Sequence, residues 1–202
     1  MNCSTISFLF SSLVGILSPV LIHAAQQPIE TIAFGSCLKQ TRPQPIWESV
    51  LQQKPDIFVL LGDNIYGDTR DMEKLESKWN DFSLIPGFRK LRQNSRVLAV
   101  WDDHDYGEND AGLEFPKKVE SQKIFLDFLQ EPKNSERRKT PGTYDSTMIG
   151  PPGKRIQFIL LDTRYFRTPL KRAEKRKSGK GPYSPNLSKE AKILGEDQWS
   201  WL

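Results

Sequence analysis

Four short polar clusters, each following an apolar run, hold the residues able to do chemistry. They are Gly35-Ser36-Cys37, Gly62-Asp63-Asn64, Asp102-Asp103-His104 and Asp162-Thr163-Arg164. The second sets a carboxylate, Asp63, three residues from a phenol, Tyr66. A carboxylate there can bridge two cations, and a phenolate is a hard ligand suited to Fe(III). The alternatives are a turn or cap aspartate and a packed aromatic. The third cluster crowds Asp102, Asp103 and Asp105 around His104. Adjacent carboxylates raise each other's pKa unless a cation or a base neutralises them, and a metal does this directly. Asp105 and Glu108 read as a solvated acidic turn. His104 is open to three roles: ligand, general acid or hydrogen-bonded structural imidazole. Cys37 reads either as a thiolate ligand, which takes Fe or Zn and not Mg, or as a small buried hydrophobe. Arg164 and Arg167 could offer guanidinium forks to a phosphoryl group, or be surface arginines.

These clusters need a scaffold, and the 202 residues supply one. Hydrophobic residues make up 37% and charged residues 27%, which excludes disorder and collagen-like or coiled-coil sequence. Two cysteines exclude a disulfide-dense scaffold, and two histidines exclude an all-histidine metal site. The net charge is +4, but residues 171–180 alone hold six basic residues and one acidic residue. Elsewhere 23 basic residues (29 less 6) face 24 acidic ones (25 less 1), so the body is neutral and specific nucleic-acid binding is not expected. The chain has no GxxxxGK[ST] phosphate loop and no GxSxG elbow, which argues against NTPase and serine-hydrolase chemistry.

Met1–Ala25 contain no charged side chain, and Phe8–Ile22 form an apolar run ahead of His23-Ala24-Ala25. This reads as a secretory signal at 1–25, ahead of a domain over 26–202. The run of 15 is short of the ~20 residues a spanning helix needs, so no membrane anchor is expected after cleavage. The mature chain would then be secreted or periplasmic, with Cys37 and His104 its sole cysteine and histidine.

Apolar runs at Thr31–Phe34, Asp56–Leu61, Arg96–Trp101 and Arg155–Leu161 read as strands, the last paired in a hairpin with Gly142–Met148. Helical spacing marks Pro45–Gln53, Met72–Phe82, Gly87–Gln93 and Lys117–Leu129, with a further helix from near Ser188. Strands alternating with helices predict an α/β fold with a largely parallel core. In such sheets the functional crevice lies outside the carboxyl ends of the strands, where all four clusters fall.

FGSC, LLGDNIY, VWDDHDYG and LLDTRYFR, in this order, resemble the alkaline phosphatase D family of exported, calcineurin-like metallophosphatases. The resemblance runs from Thr31 to the end of the chain. It implies an αββα sandwich and a centre of Fe(III) with one or more divalent ions, Ca²⁺ foremost and Zn²⁺, Mn²⁺ or Mg²⁺ as alternatives. It also implies hydrolysis of phosphate mono- or diesters by a metal-bound hydroxide. Carried over, Cys37 matches the thiolate on iron, Asp63 the bridging carboxylate, Tyr66 the phenolate and Asp103 the ligand of the second metal. His104 matches the substrate-side histidine and Arg164 the arginine of the Asp-x-Arg segment, giving His104 and Arg164 the catalytic roles. Asn64, Arg164 and Arg167 are the expected substrate contacts.

The family has a further half, with more strands and Gly-Asp-x-His-type ligands, beyond the segment matched here. The sandwich is therefore expected to be truncated after its first half. Phosphoesterase turnover by residues 26–202 is expected at least about a thousandfold below that of a complete relative. The rival reading is a secreted, non-catalytic protein that binds calcium through the acidic cluster and a polyanion through 171–180. N-terminal sequencing of exported protein should begin at Ala25 or Gln26; an intact Met1 in the cytosol would defeat the signal reading.

Overall fold

A computed structural model describes residues 27–202, apart from 176, 177 and 180. The expected signal segment lies outside the described residues, as does part of the basic stretch. Three apolar runs become parallel strands β1 (Ile32–Gly35), β2 (Ile57–Leu61) and β3 (Arg96–Val100), in the spatial order β1-β2-β3. Parallel neighbours need crossovers, and the helical segments supply them. Helix α1 (Ile46–Gln52) joins β1 to β2, and α2 (Met72–Leu84) with α3 (Pro86–Asn94) joins β2 to β3. Asp71 caps α2 by accepting from Lys74 N–H, and Pro86 opens α3, where its missing N–H costs nothing.

The central strand β2 is buried on both faces, as its unbroken apolar run requires. On one face Phe58, Leu60 and Ala99 pack beneath the helices, with α5 (Lys118–Phe128) completing the cover. Phe82 stacks on Phe88 at 4.4 Å between ring centres, and Trp79 lies 4.3 Å from Phe128. On the other face Ile57, Val59 and Leu98 meet Ile149 and Leu160 of the antiparallel hairpin β4 (Asp145–Ile149) and β5 (Ile156–Leu160). Register places Ile32 beside Ile57 and Phe34 beside Val59, on this same face, yet Phe34 is 70% exposed. The hairpin covers β2 and β3 and stops short of β1.

The mixed α/β class matches the sequence reading. Of the expected sandwich, the described residues form a helix layer, a parallel sheet and a two-stranded second sheet. Asp56 fastens the entry to β1. Its carboxylate accepts from Glu30 and Thr31 N–H, and those bonds hold its pKa below the ordinary value. One expected element is displaced. Residues 188–194 are not helical, because Thr168 exchanges bonds with Lys192 N–H and C=O, and Ser188 and Asn186 bond nearby backbone. Helix α6 starts only at Glu196 and runs to Trp201. Among the described residues no helix is long and apolar enough to cross a membrane.

The aromatic layer under the sheet should dominate stability. Phe82→Ala is expected to cost about 3–5 kcal/mol, seen as a lower urea midpoint with an unchanged slope.

Candidate metal centre

The chain leaves β2 through Gly62, whose φ of +101° suits glycine, and a Cβ there would lie 2.6 Å from Asp102 Cβ. Glycine thus lets the loops after β2 and β3 touch. The next residue, Asp63, has φ +50°, and Cys37 after β1 has φ +61°. Left-handed backbone at non-glycine residues is uncommon and persists where surrounding structure imposes it. Here Cys37 N–H donates to Gly62 O at 3.2 Å and Leu38 N–H to Asp63 O at 2.8 Å. The three loops are stitched together at the carboxyl ends of their strands.

Asp105 provides the deeper fastening. It lies in the short helix α4 (Asp103–Tyr106), is fully buried, and is not the solvated turn residue expected. Its carboxylate accepts from Ile65 N–H and Asp102 N–H, both at 2.9 Å, and from the Asn64 amide at 3.2 Å. Burial pushes its pKa well above the ordinary value, with the backbone donors pulling the other way. Asn64 also donates to Val100 O at 3.0 Å. The sequence reading expected Asn64 to contact substrate; in the structure it faces inward. The side chain is fully buried and both amide hydrogens are used inside the fold.

Above this fastening, Asp63, Asp103 and His104 each offer a ligand atom, all within 4.8 Å of one another. Cys37 Sγ lies 3.6 Å from Asp63 Oδ2, and the Tyr66 ring centre lies 4.3 Å from that of His104. Cys37, Asp63, Tyr66, Asp103 and His104 thus stand together. Asp63 Oδ1 is buried and has no hydrogen-bond partner. Burial raises the Asp63 pKa, and the Asp103 charge raises it further. Burial acts the same way on Asp103, but Asp110 N–H, Arg164 and His104 outweigh it, so Asp103 lies below its ordinary value. Tyr66 is raised by burial and then by Asp63, Cys37 and Asp103. An orphaned carboxylate oxygen beside a second carboxylate, an imidazole, a thiol and a phenol fits a cation site.

Asp68, unmarked by the sequence reading, and Asp102, which it placed in the acidic cluster without a role of its own, complete the geometry. Asp68 Oδ1 lies 2.7 Å from His104 Nδ1. A carboxylate there fixes Nδ1 as the protonated nitrogen and leaves Nε2 to ligate or carry a proton. Burial disfavours the imidazolium, but the Asp68 bond and the charges of Asp68, Asp103 and Asp63 raise the His104 pKa overall. Asp68 follows Tyr66 by only two residues, so its place in the same motif was the available signal. Asp102, the other, pairs with Arg164 Nε, while Arg164 Nη2 stands 3.7 Å from Asp103 Oδ1. Arg164 is at the centre, engaged with its carboxylates. Arg167 faces inward. It was expected to bind a phosphoryl group; here it is 9% exposed and donates to Asp110 O and to Ala111 O.

No family model matches the chain, and no curated protein matches it in sequence. A solved structure of PhoD superposes with a TM-score of 0.64 at 16% identity, over 88% of this chain and 39% of that one. At that identity the likeness is one of fold. The chain spans 39% of the length of the structure it matches.

Replacing the buried acceptor tests the fastening. Asp105→Asn turns an amide toward N–H donors and should cost about 2–4 kcal/mol in urea unfolding. A change under about 0.5 kcal/mol, the size of an ordinary surface substitution, would remove Asp105 from this role.

Proposed function

We propose that this chain belongs to an exported, metal-dependent phosphoesterase of the alkaline phosphatase D type, acting on phosphate mono- or diesters. The observation that carries the reading is Asp63 Oδ1, buried and unpartnered beside Asp103 and His104 at the ends of adjacent parallel strands. The PhoD-like fold supports it at the level of architecture, and the four motifs support it by residue type. In this reading residues 1–25 are a signal peptide and 26–202 form the amino-terminal part of the catalytic domain.

Asp63 and Asp103 would hold the cations. Cys37 and Tyr66 would add the thiolate and phenolate that favour Fe(III), and the all-oxygen donors would suit Ca²⁺ or another divalent ion. Bound cations would supply Lewis-acid stabilisation of phosphoryl charge and would acidify a water. The chain's own groups do the rest. Asp68 orients the His104 ring, so that Nε2 can carry a proton to the leaving alkoxide. The Asp68 hydrogen bond and the charges of Asp68, Asp103 and Asp63 favour the protonated ring, against the effect of burial. Arg164 offsets part of the carboxylate charge while its remaining N–H groups can meet phosphoryl oxygens. Asn64 and Arg167 act through the loops they hold.

The test is turnover of p-nitrophenyl phosphate and bis(p-nitrophenyl) phosphate with added Fe(III) and Ca²⁺. Hydrolysis should be slow, stop in EDTA, and fall at least about a hundredfold (near 2.7 kcal/mol) in Asp63→Asn, with the surface control Asp81→Asn unchanged. Turnover that survives EDTA or Asp63→Asn would overturn the reading. Calcium and polyanion binding without any turnover would favour the non-catalytic protein instead.

A further inference from the structure

Asp110 was not a candidate in the sequence, yet its backbone meets a carboxylate of the centre directly. Its backbone N–H donates to Asp103 Oδ2 at 2.6 Å. To aim that N–H, Asp110 adopts φ +61°, a left-handed conformation that a non-glycine residue keeps only when its neighbours impose it.

Three other bonds impose it. The Tyr183 hydroxyl donates to Asp110 Oδ2 at 2.6 Å, and Asn109 Nδ2 donates to the same oxygen at 2.7 Å. The Asp110 carbonyl accepts from the Arg167 guanidinium. Arg167 also holds Ala111 O at 3.0 Å, and its own carbonyl accepts from Leu113 N–H at 2.8 Å. The N–H, the C=O and Oδ2 of Asp110 are therefore engaged, and three of the partners lie 7, 57 and 73 residues away along the chain. Tyr183 reaches it from a short ladder in which Ser184 N–H bonds Lys171 O and Ala173 N–H bonds Pro182 O.

Asp103 has one oxygen tied by this N–H, and its other oxygen is the one near Arg164 Nη2. A carboxylate held at one oxygen cannot swing, and so presents the other in a fixed direction. We infer that Asp110 is the positioning residue for Asp103: its left-handed N–H sets the Asp103 carboxylate for cation binding, and the Tyr183 hydroxyl latches it there. The inference rests on the metal-centre reading above. It also gives Arg167 a purpose, since Arg167 grips the opposite side of the same residue.

The test uses the full chain and Mn²⁺ alone, by isothermal titration without substrate, with the thermal midpoint of each variant recorded. Asp110→Ala should weaken Mn²⁺ binding about 10–100-fold, the range seen when a group orienting a metal ligand is removed. Asp110→Asn tolerates positive φ and keeps an acceptor for Tyr183, so it should stay within about threefold of wild type. Tyr183→Phe loses one hydroxyl and should weaken binding about tenfold with its midpoint within about 2 °C of wild type. Unchanged Mn²⁺ affinity in both Asp110→Ala and Tyr183→Phe would overturn the inference while the centre stands. So would affinity that falls only in step with the thermal midpoint. If wild type binds no Mn²⁺, or Asp63→Asn binds it equally well, the metal-centre reading fails and this inference fails with it.

Discussion

The buried carboxylate of Asp105 is the interaction on which the candidate centre depends. Three donors, from Asp102, Ile65 and Asn64, converge on it from the loops after β3 and β2. Parallel strands bring these loops side by side but do not bond them to each other. A carboxylate is the suitable bridge because it is acceptor-only when ionised and can take donors on both oxygens. With it in place, Asp63 and Asp103 are held close in spite of their like charge. Gly67 N–H, donating to His104 O at 3.0 Å, ties the same two loops a second time.

The helix layer gives that bridge a rigid base. Phe58, Leu60 and Ala99 lie on aromatic rings from α2, α3 and α5, so the strand ends cannot shift independently. The opposite face is less complete. Ile57, Val59 and Leu98 are covered by the hairpin, whereas Ile32, Phe34 and Leu61 are exposed. The centre sits where the well-packed helix side sets the backbone, and the hairpin contributes through the turn at its carboxyl end. Asp162, just beyond β5, is fully buried and caps that turn by accepting from Arg164 and Tyr165 N–H, which sends Arg164 toward Asp102.

Charge gives the centre its chemistry. Asp63, Asp68, Asp102 and Asp103 stand against Arg164 and His104, leaving acidic charge in partly buried surroundings. Two of these carboxylates are answered by specific partners, Asp68 by His104 and Asp102 by Arg164. Asp63 Oδ1 is buried with no partner, and burial together with the Asp103 charge raises the Asp63 pKa. A buried carboxylate oxygen without a partner, set beside a second carboxylate and an imidazole, suits a site shaped for something other than protein.

The sequence by itself determined the strands, most of the helices and the place of the four polar clusters. These come from local pattern: unbroken apolar runs for buried parallel strands, 3.6-residue spacing for the helices, and Gly-Asp or Asp-Asp at the strand ends. It also determined that Cys37, Asp63, Tyr66, Asp103 and His104 would leave adjacent strands. Only the tertiary structure decided what each polar side chain does there. Asp105 is two residues from Asp103, yet one is fully buried as a fastening and the other joins the cluster, because a single turn of α4 points them in different directions. Asn64 and Arg167 look like substrate contacts by type and are held inside the fold. Residues 188–194 obey the same rule, since Thr168 claims the backbone that a helix would have used. Asp110 carries no mark in the sequence, because its role depends on a left-handed backbone and on a tyrosine 73 residues away. Partners so distant in the chain are chosen by packing, which local pattern does not encode.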